Sequence, residues 1–267
     1  MKKLIVCALV LFTAFALCAS GAPEQTASTS KIVVGATPEP HAEMLNLVVE
    51  DLAAQGIELV VQEFTDYVTP NEAVESGEII ANFFQHLPYL ESFNTKGFHL
   101  VNAGGIHIEP LAVYSKKYTA ISQIPDGAKI AIPNDPTNEG RALLLLQSAG
   151  LITLADPTFL ESTPIDIKDN PKKLSFVEIE AASLPRVLAD VDAAIINGNY
   201  AIPAGLSATK DGLFVEGADS PYVNVIAVKD GNQNNPAIQA LVKALQSEKV
   251  TKWVSEKYPN GEVVLVF

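Results

Sequence analysis

Cysteine and arginine are both scarce in this chain. Of 267 residues only Cys7 and Cys18 are cysteines, and only Arg141 and Arg186 are arginines. Cys7 lies inside an N-terminal apolar run that should be removed, so the mature chain keeps at most one thiol. An internal disulfide framework and a thiolate metal site are thereby excluded. Bases are few overall, 18 against 31 acids, which argues against nucleic acid or anionic lipid as a partner, since both are held by clustered Lys and Arg. With 16 Gly and 17 Pro the chain is no collagen or mucin, and 48% hydrophobic residues exclude disorder. Catalytic signatures are missing too: there is no G-x-S-x-G elbow, H-E-x-x-H, C-x-x-C or phosphate-binding G-x-x-x-x-G-K-[ST]. Histidines 41, 86, 99 and 107 have no metal-ligand spacing, and Gly104-Gly105 lacks the rest of a dinucleotide fingerprint. No metal or cofactor is implied, and the balance moves towards binding rather than catalysis.

What is present begins with an address. Met1-Lys2-Lys3 precedes the uncharged run Leu4–Leu17, too short for the about 20 residues that cross a bilayer. Residues 1–17 read as a secretory signal peptide. Residues 18–30, rich in Ala, Ser, Thr, Gly and Pro, read as a flexible tether with about 40 Å of reach. Cys18 stands at the junction. A lone thiol there suits diacylglyceryl attachment, as in bacterial lipoproteins, although Leu17 departs from the small residue usual before such a cysteine. The alternative is an ordinary signal peptide cut after Ser20. The expectation is an exported protein, lipid-anchored at the cell membrane on its periplasmic or outer face.

From Lys31 short β-rich runs alternate with helical stretches. Strands are expected at Lys31–Ala36, Ile57–Phe64 and Ile79–Gln85, and helices over Glu39–Gln55 and from Thr69 to Gly77. Thr69, Pro70 and Glu72 have the spacing of a capping box. After Pro125-Asp126-Gly127 the alternation resumes: strands at Lys129–Ile132, Ser175–Ile179 and Ala193–Ile196, helices over Thr137–Ala149 and Ala182–Val191. Asn235–Tyr258 reads as the longest helix and Val263–Phe267 as a last strand. Such alternation implies an α/β protein with parallel sheets covered on both faces. Two series, parted near Pro110 and rejoined near Val223–Val228, give two lobes with two crossovers: residues 31–110 with 226–267, and residues 111–225.

Ligands of open α/β sheets sit beyond the carboxyl ends of the strands. Arg141 lies in the first turn of the helix after Asn134-Asp135-Pro136, where free N–H groups and a planar two-pronged donor suit a carboxylate; equally, it could be a surface residue paired with Glu139. In Asn82-Phe83-Phe84-Gln85-His86, period two puts Phe84 and His86 on one face. With Tyr67 and Tyr89 they could line an apolar slot, or pack an ordinary core. Asn197 follows a strand within Asn197-Gly198-Asn199, a sequence that also makes plain turns. Asn224 interrupts the apolar run Tyr222–Val228, where a buried amide needs partners. Glu109, before Pro110, is a possible counter-charge for an ammonium or a solvent-exposed acid.

Phe64-Thr65-Asp66-Tyr67-Val68, Asn82–His86, Ile130–Leu143 and Ala194–Ala201 together resemble the methionine-binding lipoproteins of ABC importers, the NlpA/MetQ-like family, from about Lys31 to Phe267. The resemblance implies a two-lobed periplasmic-binding-protein fold of type 2, two mostly parallel sheets joined by two crossover strands. It implies L-methionine as ligand and an ABC permease with its ATPase as partners. Pocket residues carried over are Tyr67, Phe84, His86, Tyr89, Asn138, Arg141, Asn197 and Asn224. Competing readings are another apolar amino acid or a methionine dipeptide as ligand, a secreted lyase or dehydratase using His86 with Glu109, and a lipid-tailed adhesin with no pocket.

Overall fold

The computed structural model describes residues 30–217 and 220–267. The expected signal peptide, Cys18 and all of the tether except Ser30 lie outside them. The first stretch contains β1 (Ser30–Ala36), α1 (Glu43–Leu47), α2 (Val49–Ala53), β2 (Ile57–Glu63), α3 (Thr69–Ser76), β3 (Ala81–His86), α4 (Leu87–Asn94) and β4 (Leu100–Ile108). The second runs through β5 (Ala112–Tyr114), β6 (Lys129–Pro133), α5 (Pro136–Ser148), β7 (Thr153–Leu154), β8 (Ile167–Asp169), β9 (Ser175–Ile179), α6 (Leu184–Val187), β10 (Ala193–Ile196), α7 (Gly198–Ala201), α8 (Ala208–Asp211) and β11 (Gly212–Val215). The chain then returns through β12 (Asn224–Lys229), α9 (Pro236–Leu245), α10 (Glu248–Lys257) and β13 (Val264–Leu265).

One sheet has the order β13-β4-β12-β3-β1-β2 and the other β11-β5-β10-β6-β9, with β7 and β8 paired apart. The chain leaves the first sheet after β4 and re-enters it with β12, so two crossovers connect the sheets. The two-lobed α/β class holds, but the pairing is mixed rather than mostly parallel: β12 runs antiparallel to both β3 and β4, and β5 antiparallel to both β10 and β11. Returning strands enter against the direction of the β-α-β series. Each lobe buries its own apolar core, one around Val34, Phe83, Ile226 and Leu241, the other around Ile130, Leu143, Leu146 and Ile195. Among the described residues no helix is long and apolar enough to cross a membrane.

Local differences have local causes. The first long helix is interrupted: Glu39, held extended by the proline that follows it, has φ −119° and ψ 136°, and Val48 separates α1 from α2. The expected C-terminal helix breaks at Gln246–Ser247, where Ser247 is extended (φ −89°, ψ 160°) and the Gln246 amide donates to the Gly105 carbonyl at 2.9 Å. A straight helix over that span would be about 36 Å long; the break returns Val250, Val254 and Tyr258 to the first core. Among the described residues the longest helix is α5. The capping box at Thr69 does not form; Asp66 Oδ1 accepts from the Val68 and Thr69 N–H groups instead, both at 2.7 Å. The unanticipated β4 contains Gly104 because α9 lies against it: a Cβ there would stand 2.5 Å from Val242.

Candidate functional site

Between the lobes lies a cavity whose walls enclose about 330 Å³ of space, open solvent included. All eight residues singled out by sequence line it: Tyr67, Phe84, His86, Tyr89, Asn138, Arg141, Asn197 and Asn224. Tyr67 follows β2, Phe84 and His86 end β3, Tyr89 sits in the first turn of α4, Asn138 and Arg141 in the first turns of α5, Asn197 after β10, and Asn224 opens β12. Gln85, Glu109, Gly198 and Asn199 complete the wall. Phe83, one residue along from Phe84, packs in the first core. Arg186 is solvent-exposed and donates to Ser183.

Two caps set the frame. Pro136 opens α5 while Asp135 accepts from the Asn138 N–H at 3.1 Å and the Asn138 amide at 2.8 Å. His86 caps α4: Nδ1 accepts from the Tyr89 N–H at 3.1 Å, so its proton is on Nε2, which donates to Asn138 Oδ1 at 3.1 Å. Burial, then the charge of Arg141, lowers the His86 pKa to about 3. This imidazole is neutral and both nitrogens are committed, which leaves no free base for the lyase reading.

Asn138 Oδ1 also accepts from Asn197 Nδ2 at 2.7 Å. Asn197 Oδ1 and Asn199 Nδ2 are buried without a partner among the described residues. A bare acceptor and a bare donor in one small cavity carry a desolvation cost that a polar ligand would relieve. On the opposite wall Tyr67, Phe84 and Tyr89 pack with ring centroids 5.8–6.0 Å apart. The Tyr67 hydroxyl crosses the gap to donate to Asn199 Oδ1 at 2.6 Å, and Tyr200 donates to the Thr65 carbonyl at 3.1 Å. The lobes are therefore drawn together over the cavity.

Arg141 is buried but does not pair with Glu139. Its Nε and Nη2 donate to Glu216 at 2.9 and 2.5 Å, and Nη2 also to the Glu109 carbonyl at 2.9 Å. Glu216 and Tyr222, whose ring lies 4.3 Å from the guanidinium, were not indicated by sequence, because both sit on the second crossover, far along the chain.

Glu109 is buried, not solvent-exposed. His107 Nε2 lies 2.8 Å and His41 Nε2 3.3 Å from its Oε1, and His41 Nε2 also lies 3.2 Å from Asn224 Oδ1. Asn224 pairs in register with His86 on β3 and His107 on β4, and the His107 ring lies 5.0 Å from that of His41. Burial raises the Glu109 carboxyl pKa, against the opposing pull of His41, Arg141 and the Asn199 N–H. His41, His107 and Glu109 offer three ligand atoms within 4.8 Å of one another, an arrangement sequence spacing did not reveal. A metal-bound imidazole donates its second N–H, yet His107 Nδ1 has no partner among the described residues. The pattern fits two neutral imidazoles clasping a carboxylate better than an ion.

A family profile described as "NlpA lipoprotein" matches residues 32–267. The D-methionine-binding lipoprotein MetQ of Escherichia coli is 42% identical over 258 residues, covering 95% of this chain and 94% of that one. A solved nutrient-binding protein from Burkholderia cenocepacia, bound to methionine, is 46% identical with a TM-score of 0.84, covering 88% of this chain and 100% of its own. A periplasmic substrate-binding protein of an ABC transporter from Coxiella burnetii is 44% identical, also with a TM-score of 0.84 and the same coverage.

Proposed function

This chain belongs to the NlpA lipoprotein family, and from that premise we propose that it captures methionine between its lobes and hands it to an ABC importer. It is a binding protein, not an enzyme. Lobes of residues 31–110 with 226–267, and of residues 111–225, close on the ligand about the two crossovers. The observation that carries the reading is the cavity wall itself: unpartnered amide atoms of Asn197 and Asn199 beside a buried guanidinium, facing an aromatic trio.

The amino-acid end of methionine meets the polar side. Its carboxylate is drawn to Arg141 and the Asn199 amide, and its ammonium to Glu109 and Asn197 Oδ1. Asn138, His86 and Asn224 hold those groups in place. The thioether lies among Tyr67, Phe84 and Tyr89, where sulfur–aromatic contacts add about 0.3–1.5 kcal/mol beyond burial. Micromolar to nanomolar affinity corresponds to about −8 to −12 kcal/mol, more than any one contact supplies, so closure must remove water from the whole ligand. Only the shut form then docks productively on the permease and its ATPase, a population shift driven by ligand. Cys18 carries the lipid that keeps the protein at the membrane.

Calorimetric titration with L-methionine, D-methionine, leucine and norleucine tests the ligand. Binding of methionine at micromolar strength or better, with leucine weaker by about 10-fold or more, is expected; the E. coli relative's name is the reason to include both enantiomers. No binding of either enantiomer would end the proposal. Delivery is tested with the reconstituted permease and ATPase, whose ATP hydrolysis should rise with the methionine-loaded protein.

A further inference from the structure

Arg141 is a partition. Its inner side faces the cavity, and its outer side lines a separate groove of about 1020 Å³ with Glu216, Tyr222, Phe214 and Leu144. On that outer side the Nε and Nη2 edge is occupied by both carboxylate oxygens of Glu216, at 2.9 and 2.5 Å. The remaining Nη2 hydrogen goes to the Glu109 carbonyl. Glu216 is itself fastened to the other crossover: its N–H donates to the Leu111 carbonyl at 2.8 Å, and its Oε2 accepts from the Leu111 N–H at 3.3 Å. The Tyr222 ring covers one guanidinium face. Only Nη1 is left without a partner among the described residues.

A guanidinium recognises a carboxylate most strongly through two parallel N–H bonds and an uncompensated charge. Here both advantages are already spent on an internal carboxylate. We propose that Glu216 is a specificity-determining positioning residue. By taking the two-pronged edge of Arg141 and balancing its charge, it makes carboxylate recognition in the cavity single-pronged, so that amino acids with a neutral, amidated carboxyl group are also ligands. An amide carbonyl accepts from Nη1 as a carboxylate oxygen does, and the amide nitrogen can donate to the second lone pair of Asn197 Oδ1, beside the ammonium. The inference rests on the methionine reading above.

The test is calorimetry with L-methionine and L-methioninamide, under conditions in which both amines are protonated, on the wild type and on Glu216→Gln. The substitution keeps the side chain's shape and removes its charge. In the wild type the two ligands should differ by about 10-fold, the gap between a charge-assisted and a neutral hydrogen bond. In Glu216→Gln the preference for the free acid should rise by about 10-fold more. A wild-type preference for the acid above about 100-fold, or an unchanged ratio in a folded Glu216→Gln protein, overturns the role; loss of a merely structural contact would weaken both ligands alike. Should Glu216→Gln fail to fold, the wild-type ratio decides alone. A wild type that binds neither compound fails earlier, at the methionine reading.

Discussion

Asn197 and Asn199 each commit one end of the amide, to Asn138 and Tyr67 respectively, and leave the other end bare in the cavity wall. Beside them Arg141 supplies the buried positive charge. Arg141→Ala removes that charge and leaves Glu216 unpaired, so methionine affinity should fall at least about 10-fold; unchanged calorimetric binding would remove Arg141 from the site. Gly198 is a second sensitive point. A Cβ there would stand 2.7 Å from both Cβ and Oε2 of Glu109, so Gly198→Ala should displace that carboxylate and weaken binding about 10-fold or more while far-UV circular dichroism stays unchanged. Affinity equal to wild type would show that Glu109 takes no part. At this scale sequence was informative where a residue broke a local rule, as Asn224 does in an apolar strand, or where period two sorted Phe84 from Phe83. It was silent on His41, whose fully buried place beneath Glu109 follows from no periodicity or motif.

The elements show where local signals prevail. Proline at the first turn with an acidic or imidazole cap starts α5, where the sequence suggested a helix, and likewise α4, and Gly77, at φ 81°, stops α3. The breaks at Val48 and Gln246–Ser247 escaped because apolar spacing continues across them; past the second, Val250 and Val254 return to the same core as Leu241 and Leu245. Helix α5 is also locked from behind: a Cβ on Gly140 would come within 2.1 Å of the Leu160 carbonyl, a backbone atom with little room to yield. Gly140→Ala should therefore cost about 1–3 kcal/mol of stability, read as a lower melting temperature, and weaken ligand binding because Asn138 and Arg141 ride on the same helix. A melting temperature at or above wild type would mean that the 157–162 loop adapts freely.

For the molecule as a whole, buried imidazoles set the response to acid. Burial lowers His41 to about 4 and both His86 and His107 to about 3, from an ordinary 6.5. The unfolded chain therefore binds more protons than the fold below about pH 6.5, and stability should fall as pH drops towards 4, by up to about 1.4 kcal/mol per pH unit for each histidine. Glu139 acts in the opposite sense: burial pushes its carboxyl up to about 7 from 4.5, so its contribution is present below 4.5 and is lost as pH rises through 7. Burial raises Glu109 and Asp135 in the same sense, whereas Glu75, Asp156, Asp192 and Glu262, held low by hydrogen bonds, act with the histidines; seven groups against three leave a net loss on acidification. Urea denaturation between pH 7 and 4 should show the midpoint moving down; a steady rise would contradict neutral burial of the three rings.

Read along the chain alone, the residues give the expectation of an export address, an α/β alternation and a set of positions just past strand ends. These depend on hydrophobic period, caps and turn chemistry, which act within a few residues of one another. The mixed strand pairing, the contact of His41 with Glu109 and the grip of Glu216 on Arg141 join segments tens of residues apart. They exist only once the chain has folded back on itself, because burial and partner choice for a charged or titratable group depend on neighbours that local pattern does not record.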